Sequence, residues 1–182
     1  MLSELQAAKA RRMFEVYDSD SDGVISWSDY ALQLSRLAEM KGWTASSPAY
    51  VRFADKLETH WSRMRSFADS DRDEQLTFGE YEAYLSSWLD QPGALETLDG
   101  VADLWFDLLD EDGDGRVGPD EYRMSMVAYG LEDLDFDQMF SRFDLDGDGF
   151  VSREEVREFN RQYWLSTDMS QPGHHLLGPI EG

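Results

Sequence analysis

Four stretches of twelve residues in this chain open Asp-x-Asp-x-Asp and close on an acidic residue: DSDSDGVISWSD at 18–29, DSDRDEQLTFGE at 69–80, DEDGDGRVGPDE at 110–121 and DLDGDGFVSREE at 144–155. Each has an apolar eighth residue, Ile25, Leu76, Val117 or Val151. Carboxylates gathered this closely repel one another, and a bound cation is the most direct way to offset that repulsion. Any fold proposed for the chain must therefore present four tight, acidic, cation-accepting loops.

Oxygens at positions 1, 3, 5, 7, 9 and 12 of such a loop form the ligand set of a calcium-binding helix-loop-helix unit, the EF-hand, with a backbone carbonyl at position seven. The third loop offers Asp110, Asp112, Asp114, the Arg116 carbonyl and Glu121, with water expected at Gly118. The fourth offers Asp144, Asp146, Asp148, the Phe150 carbonyl, Ser152 and Glu155. Both have glycine at position six, Gly115 and Gly149, where the chain turns sharply, and a glutamate long enough to bind through both oxygens, so both are expected to favour Ca2+. The first loop has Asp18, Asp20, Asp22, the Val24 carbonyl and Ser26 but closes on Asp29, one methylene shorter. That favours single-oxygen contact and six-coordination, so Mg2+ is expected to compete there.

The second loop keeps every ligand position in Asp69, Asp71, Asp73, the Gln75 carbonyl, Thr77 and Glu80, yet carries Glu74 at position six. A non-glycine residue held at positive φ costs about 1 kcal/mol, roughly tenfold in affinity. Three Ca2+ sites are expected on this reading, and occupancy of the second loop stays open.

The flanks of the loops read as helices. Met13, Phe14 and Tyr17 precede the first loop, Trp105, Phe106 and Leu109 the third, and Met139, Phe140 and Phe143 the fourth, a spacing that places each set on one helix face. On the exit side Ser26, Thr77 and Ser152 stand three residues before Asp29, Glu80 and Glu155, the spacing of a helix-starting capping box. In the third loop Gly118 replaces the hydroxyl, and Pro119 suits the first helical turn.

These elements predict an all-α fold: four EF-hand units in two pairs, packed into one compact globule, with short two-residue β-ladders joining Ile25 to Leu76 and Val117 to Val151. Residues 1–90 should hold the amino-terminal pair, residues 97–164 the carboxy-terminal pair and residues 165–182 a tail. The insertion between the first two loops reads as a helix starting at Ser47 and Pro48, with Val51, Ala54, Leu57, Trp61 and Met64 as its buried stripe. Pro92 and Gly93 break the connection between the halves, which should fold onto each other. The tryptophans Trp27, Trp43, Trp61, Trp88, Trp105 and Trp164 are expected to fill the shared core rather than a cofactor cage.

Composition narrows the partners. Acidic residues number 38 against 16 basic, a formal charge of −22, which argues against nucleic acid or an anionic membrane. A hydrophobic content of 41% is too high for a wholly disordered chain, and without cysteine there are no disulfides, zinc-thiolate sites or cysteine nucleophiles. No apolar run resembles a signal peptide or reaches the length of a membrane span, so a soluble cytoplasmic monomer is expected. Nearly every clustered carboxylate already has a metal-binding role, and the chain is not expected to be an enzyme.

Four such loops, the long connection within the first pair, the weakened second loop and the ending LSTDMSQPGHHLLGPIEG resemble the invertebrate sarcoplasmic calcium-binding proteins and their bacterial relative calerythrin. The resemblance implies a compact Ca2+ buffer or signal modulator, and a tail that lies across the groove between the halves through Leu176, Leu177 and Ile180. A sensor that opens a hydrophobic groove to a protein target is the competing expectation. Photoproteins and luciferin-binding proteins resemble the same fold, but their chemistry needs a His/Tyr/Trp-lined cavity. His60, His174 and His175 show no spacing that assigns them to one.

Overall fold

Each loop hands the chain to its exit helix through one carboxylate that caps the helix start. Glu80 Oε2 accepts from Thr77 N at 3.0 Å while Thr77 Oγ1 accepts from Glu80 N at 3.3 Å, and Ser152 and Glu155 repeat the pattern at 2.7 and 3.3 Å. Ser26 and Asp29 form the same box. Gly118 has no side chain to give, so Glu121 Oε2 accepts from Gly118 N at 2.9 Å and Pro119 occupies the first helical position. A cap of this kind stabilises a helix by about 1 kcal/mol.

The computed structural model describes residues 2–131, 135–168 and 170–175. Its helices are α1 Glu4–Tyr17, α2 Trp27–Lys41, α3 Pro48–Ala68, α4 Phe78–Trp88, α5 Ala94–Leu109, α6 Pro119–Ala128, α7 Phe136–Phe143 and α8 Arg153–Leu165. The strands β1 (Val24–Ile25) and β2 (Leu76–Thr77) pair antiparallel, with Ile25 opposite Leu76. In the second pair of loops the ladder shrinks to a single bridge, Val117 to Val151, closed by N–H to carbonyl bonds of 2.9 and 2.8 Å. All four eighth-position side chains are buried.

The entry-helix faces behave as their spacing predicts: Met13, Phe14, Tyr17, Trp105, Phe106, Leu109, Met139, Phe140 and Phe143 are all buried. They join one continuous core that draws on all eight helices. Buried polar bonds tie α1 to α5 and α8. Trp105 Nε1 donates to the Tyr17 hydroxyl at 3.0 Å, and Tyr163 Oη donates to the Lys9 carbonyl at 2.9 Å while the fully buried Lys9 ammonium donates to the Tyr163 carbonyl. Burial pushes that ammonium's pKa down to about 8.

Two expectations need correction. Val51 is 47% exposed, because the buried face of α3 runs instead through Phe53, Leu57, His60 and Trp61, with Ala54 and Met64 partly buried. A histidine on that face breaks the apolar pattern on which the expected stripe was drawn. Trp27 is 40% exposed, stacked on Tyr30 with ring centroids 6.2 Å apart, whereas Trp61, Trp105 and Trp164 are core residues and Trp43 and Trp88 pack against the core in part.

The break at Pro92–Gly93 is present, with Gly93 at φ +100° leading into α5. Beyond α8, the turn Pro172–His175 lies against that helix, and Gly173 N donates to Gln162 Oε1 at 3.0 Å. A Cβ at Gly173 would strike the Phe159 carbonyl oxygen at 2.7 Å, so this approach requires glycine. Leu176, Leu177 and Ile180 lie outside the described residues. Among the described residues no helix is long and apolar enough to cross a membrane.

Candidate metal-binding loops

The loops are organised by their own backbone. In each, the first aspartate accepts from the sixth N–H: Asp18 from Gly23 at 3.0 Å, Asp69 from Glu74 at 3.2 Å, Asp110 from Gly115 at 3.1 Å and Asp144 from Gly149 at 2.9 Å. The third position accepts from the fifth N–H, as Asp112 does from Asp114 at 3.0 Å, and the fifth from the seventh, as Asp148 does from Phe150 at 2.9 Å. Such bonds turn the aspartate oxygens inward and leave the carbonyls of Val24, Gln75, Arg116 and Phe150 to the ring expected of them. The twelfth carboxylate reaches back across the loop to the second position, with Asp29 taking Ser19 N at 2.8 Å, Glu80 Ser70 N at 3.0 Å, Glu121 Glu111 N at 3.0 Å and Glu155 Leu145 N at 2.8 Å.

Carboxylate oxygens converge within 4.8 Å in four places: Asp18 with Asp20 and Asp22, Asp69 with Asp71 and Asp73, Asp110 with Asp112 and Glu121, and Asp144 with Asp146 and Glu155. The closing glutamate thus belongs to the cluster in the third and fourth loops, whereas the first two clusters are made by the three aspartates. Hard oxygen donors in this number suit Ca2+ or Mg2+. The closing residues of the first two loops also differ electrostatically. Burial pushes the pKa of Asp29 up, whereas hydrogen bonds, first from Thr77 N and then from the Thr77 and Ser70 hydroxyls, hold Glu80 down at about 2.

Glu74 stands at φ +67°, the strained conformation its position predicts. Its carboxylate is held by Arg65 of α3 at 2.8 Å. A second strained position was missed from sequence. Position four is also left-handed, occupied by Ser21 at φ +60° and Arg72 at φ +64° in the first two loops and by Gly113 and Gly147 in the last two. The signal was present as the glycines at position four of the third and fourth loops. Strain therefore falls on no non-glycine residue in loops three and four, on one in loop one and on two in loop two.

The histidine reading is corrected as well. His60 lies inside the fold, with Nδ1 2.9 Å from the Tyr30 hydroxyl and its ring centroid 5.7 Å from that of Tyr17. With Tyr17 and Trp105 it lines a cavity of about 480 Å³ between the halves. Sequence spacing could not find this group because its members come from α1, α3 and α5.

Sequence and fold comparisons agree with the geometry. The EF hand domain model matches residues 135–162, and a second EF hand model matches residues 10–31 and 101–127, stretches that contain the fourth, first and third loops. Sarcoplasmic calcium-binding protein, beta chain, of Penaeus sp. is 24% identical over 91% of both chains. This chain contains EF-hand units and is similar along most of its length to sarcoplasmic calcium-binding proteins. Calexcitin-1 of Caenorhabditis elegans is 26% identical to this EF-hand protein, covering 95% of it and 86% of the relative. A Streptomyces coelicolor calcium-binding protein superposes with a TM-score of 0.69 at 26% identity, over 86% of this chain and 95% of that one. The coelenterazine-binding protein of Renilla muelleri has the same fold, with a TM-score of 0.78 at 18% identity over 98% and 100% of the two chains.

Proposed function

We propose that this EF-hand protein is an intracellular Ca2+ buffer or signal modulator that works as a monomer. The third and fourth loops hold Ca2+ through Asp110, Asp112, Asp114, the Arg116 carbonyl and Glu121, and through Asp144, Asp146, Asp148, the Phe150 carbonyl, Ser152 and Glu155. The first loop binds through Asp18, Asp20, Asp22, the Val24 carbonyl, Ser26 and Asp29, where Mg2+ competes. The second binds more weakly, because it carries two strained non-glycine positions.

The observation that carries the buffer reading is the buried bond from Trp105 Nε1 to Tyr17, reinforced by the paired Lys9 and Tyr163 contacts. Tyr17 immediately precedes the first ligand of loop one, so the bond ties the entry helices α1 and α5 of opposite halves to each other. A sensor needs the reverse, an apolar face that opens when the ion binds.

Calcium titration by calorimetry, with and without Mg2+, tests the sites: tight binding at loops three and four and a Mg2+-sensitive site at loop one are expected. A basic amphipathic helical peptide, titrated in Ca2+ and in chelator, tests the role. Ca2+-dependent micromolar binding would replace the buffer with a sensor.

A further inference from the structure

One ligand of the third loop is claimed by the protein's own side chain. In every loop the fifth aspartate uses Oδ1 to accept from the seventh N–H: Asp22 from Val24 at 3.0 Å, Asp73 from Gln75 at 2.9 Å, Asp114 from Arg116 at 3.1 Å and Asp148 from Phe150 at 2.9 Å. The oxygen left for an ion is Oδ2. In loops one, two and four it accepts from no described residue, whereas in loop three the Arg116 guanidinium donates to it through Nε at 2.9 Å. We propose that Arg116 is a tethered cation that competes with Ca2+ for Asp114 and so sets the affinity of the third loop.

The paired loop holds this competitor in place. Arg116 and Phe150 stand directly before the bridged Val117 and Val151. Those valines are buried, and side chains alternate along a ladder, so Arg116 and Phe150 face outward together. The guanidinium carbon lies 4.0 Å from the centre of the Phe150 ring while Nε grips Asp114. A planar guanidinium can stack on a ring and donate from its edge at the same time. The first pair of loops has no counterpart, since Val24 and Gln75 occupy the equivalent positions.

The inference rests on the third loop being an ion site. Arg116 is 54% exposed and Asp114 41%, so solvent screens the pair and the competition is modest, about two- to fivefold in affinity. Added salt weakens the pair further and shrinks the effect. The effect is read on loop three itself, because loop four also differs by Ser152 in place of Gly118.

Arg116→Gln tests it, giving the third loop the residue that the second carries at this position and keeping the backbone carbonyl. In isotope-labelled protein the Gly115 and Gly149 amides, each bonded to the first aspartate of its loop, report loops three and four separately through a series of calcium buffers. Arg116→Gln should lower the Ca2+ midpoint of Gly115 by about two- to fivefold at low salt, by less in about 0.5 M KCl, and should move Gly115 more than Gly149. Arg123→Gln, which removes the same charge from an exit-helix arginine paired with Asp137, should move Gly115 far less. In the native protein the Arg116 Nε–H resonance should shift in step with Gly115 as Ca2+ displaces it from Asp114. A Gly115 midpoint unchanged by Arg116→Gln, an equal shift from Arg123→Gln, or an Nε–H resonance indifferent to Ca2+ would each overturn the role of Arg116 alone. A native Gly115 amide that ignores Ca2+ would overturn the ion-site reading itself, and the role of Arg116 with it.

Discussion

Arg65 Nη1 lies 2.8 Å from Glu74 Oε1, so the residue that strains the second loop is tied back to the helix that enters it. Glu74 is 76% exposed in its side chain, and such a pair contributes about 0–1 kcal/mol. The positive φ costs about the same or more, on the order of 1 kcal/mol. Glu74→Gly should therefore raise calcium affinity at this loop several-fold, whereas Glu74→Gln, which loses the pair and keeps the strain, should not. Identical isotherms for both variants and the native chain would reduce the second loop to a structural partner that supplies Leu76 to Ile25.

Glu155 has two tasks that substitution separates. It caps α8 through Ser152 N at 2.7 Å and converges with Asp144 and Asp146. Glu155→Ala should remove one calcium site and lower the stability of the metal-free protein by about 1 kcal/mol, roughly 2–4 °C in Tm. Glu155→Gln keeps an acceptor for the cap and should lose affinity with a smaller fall in Tm. Calorimetric titration and thermal melts in chelator check both.

Metal removal should lower thermal stability markedly, since each loop concentrates carboxylates whose repulsion is then uncompensated. A site at a hundredfold excess of ion over its Kd contributes about 2.7 kcal/mol. Melts in Ca2+ should exceed those in chelator by several degrees, and coincident midpoints would contradict the assignment of the loops as ion sites.

Two buried bases predict pH effects of one sign. His60 has its pKa pushed down by burial to about 4, so between that value and the unfolded value near 6.5 the unfolded chain holds the extra proton. Its neutral burial is accommodated fully above pH 6.5, and stability falls as pH drops toward 4, by up to about 3 kcal/mol. Lys9, lowered to about 8, makes stability rise with pH between 8 and 10.5. Urea melts in chelator, compared with His60→Phe and Lys9→Met, should show each slope flattened in the matching variant alone.

The chain alone determined its loops, its caps and its ladder partners. Ligand order, the Ser or Thr three residues before a carboxylate, and the apolar eighth residue are relations within about a dozen positions, and local backbone geometry converts them directly into structure. Packing decided the rest. Val51 is exposed and His60 buried because what surrounds α3 depends on helices distant in sequence, not on the periodicity of α3 itself. The strain at Ser21 and Arg72 is a backbone property that side-chain chemistry at those positions does not announce. The cavity is the most tertiary feature of all: Tyr17, His60 and Trp105 come from three helices and meet only when the halves close, so no spacing along the chain encodes their convergence.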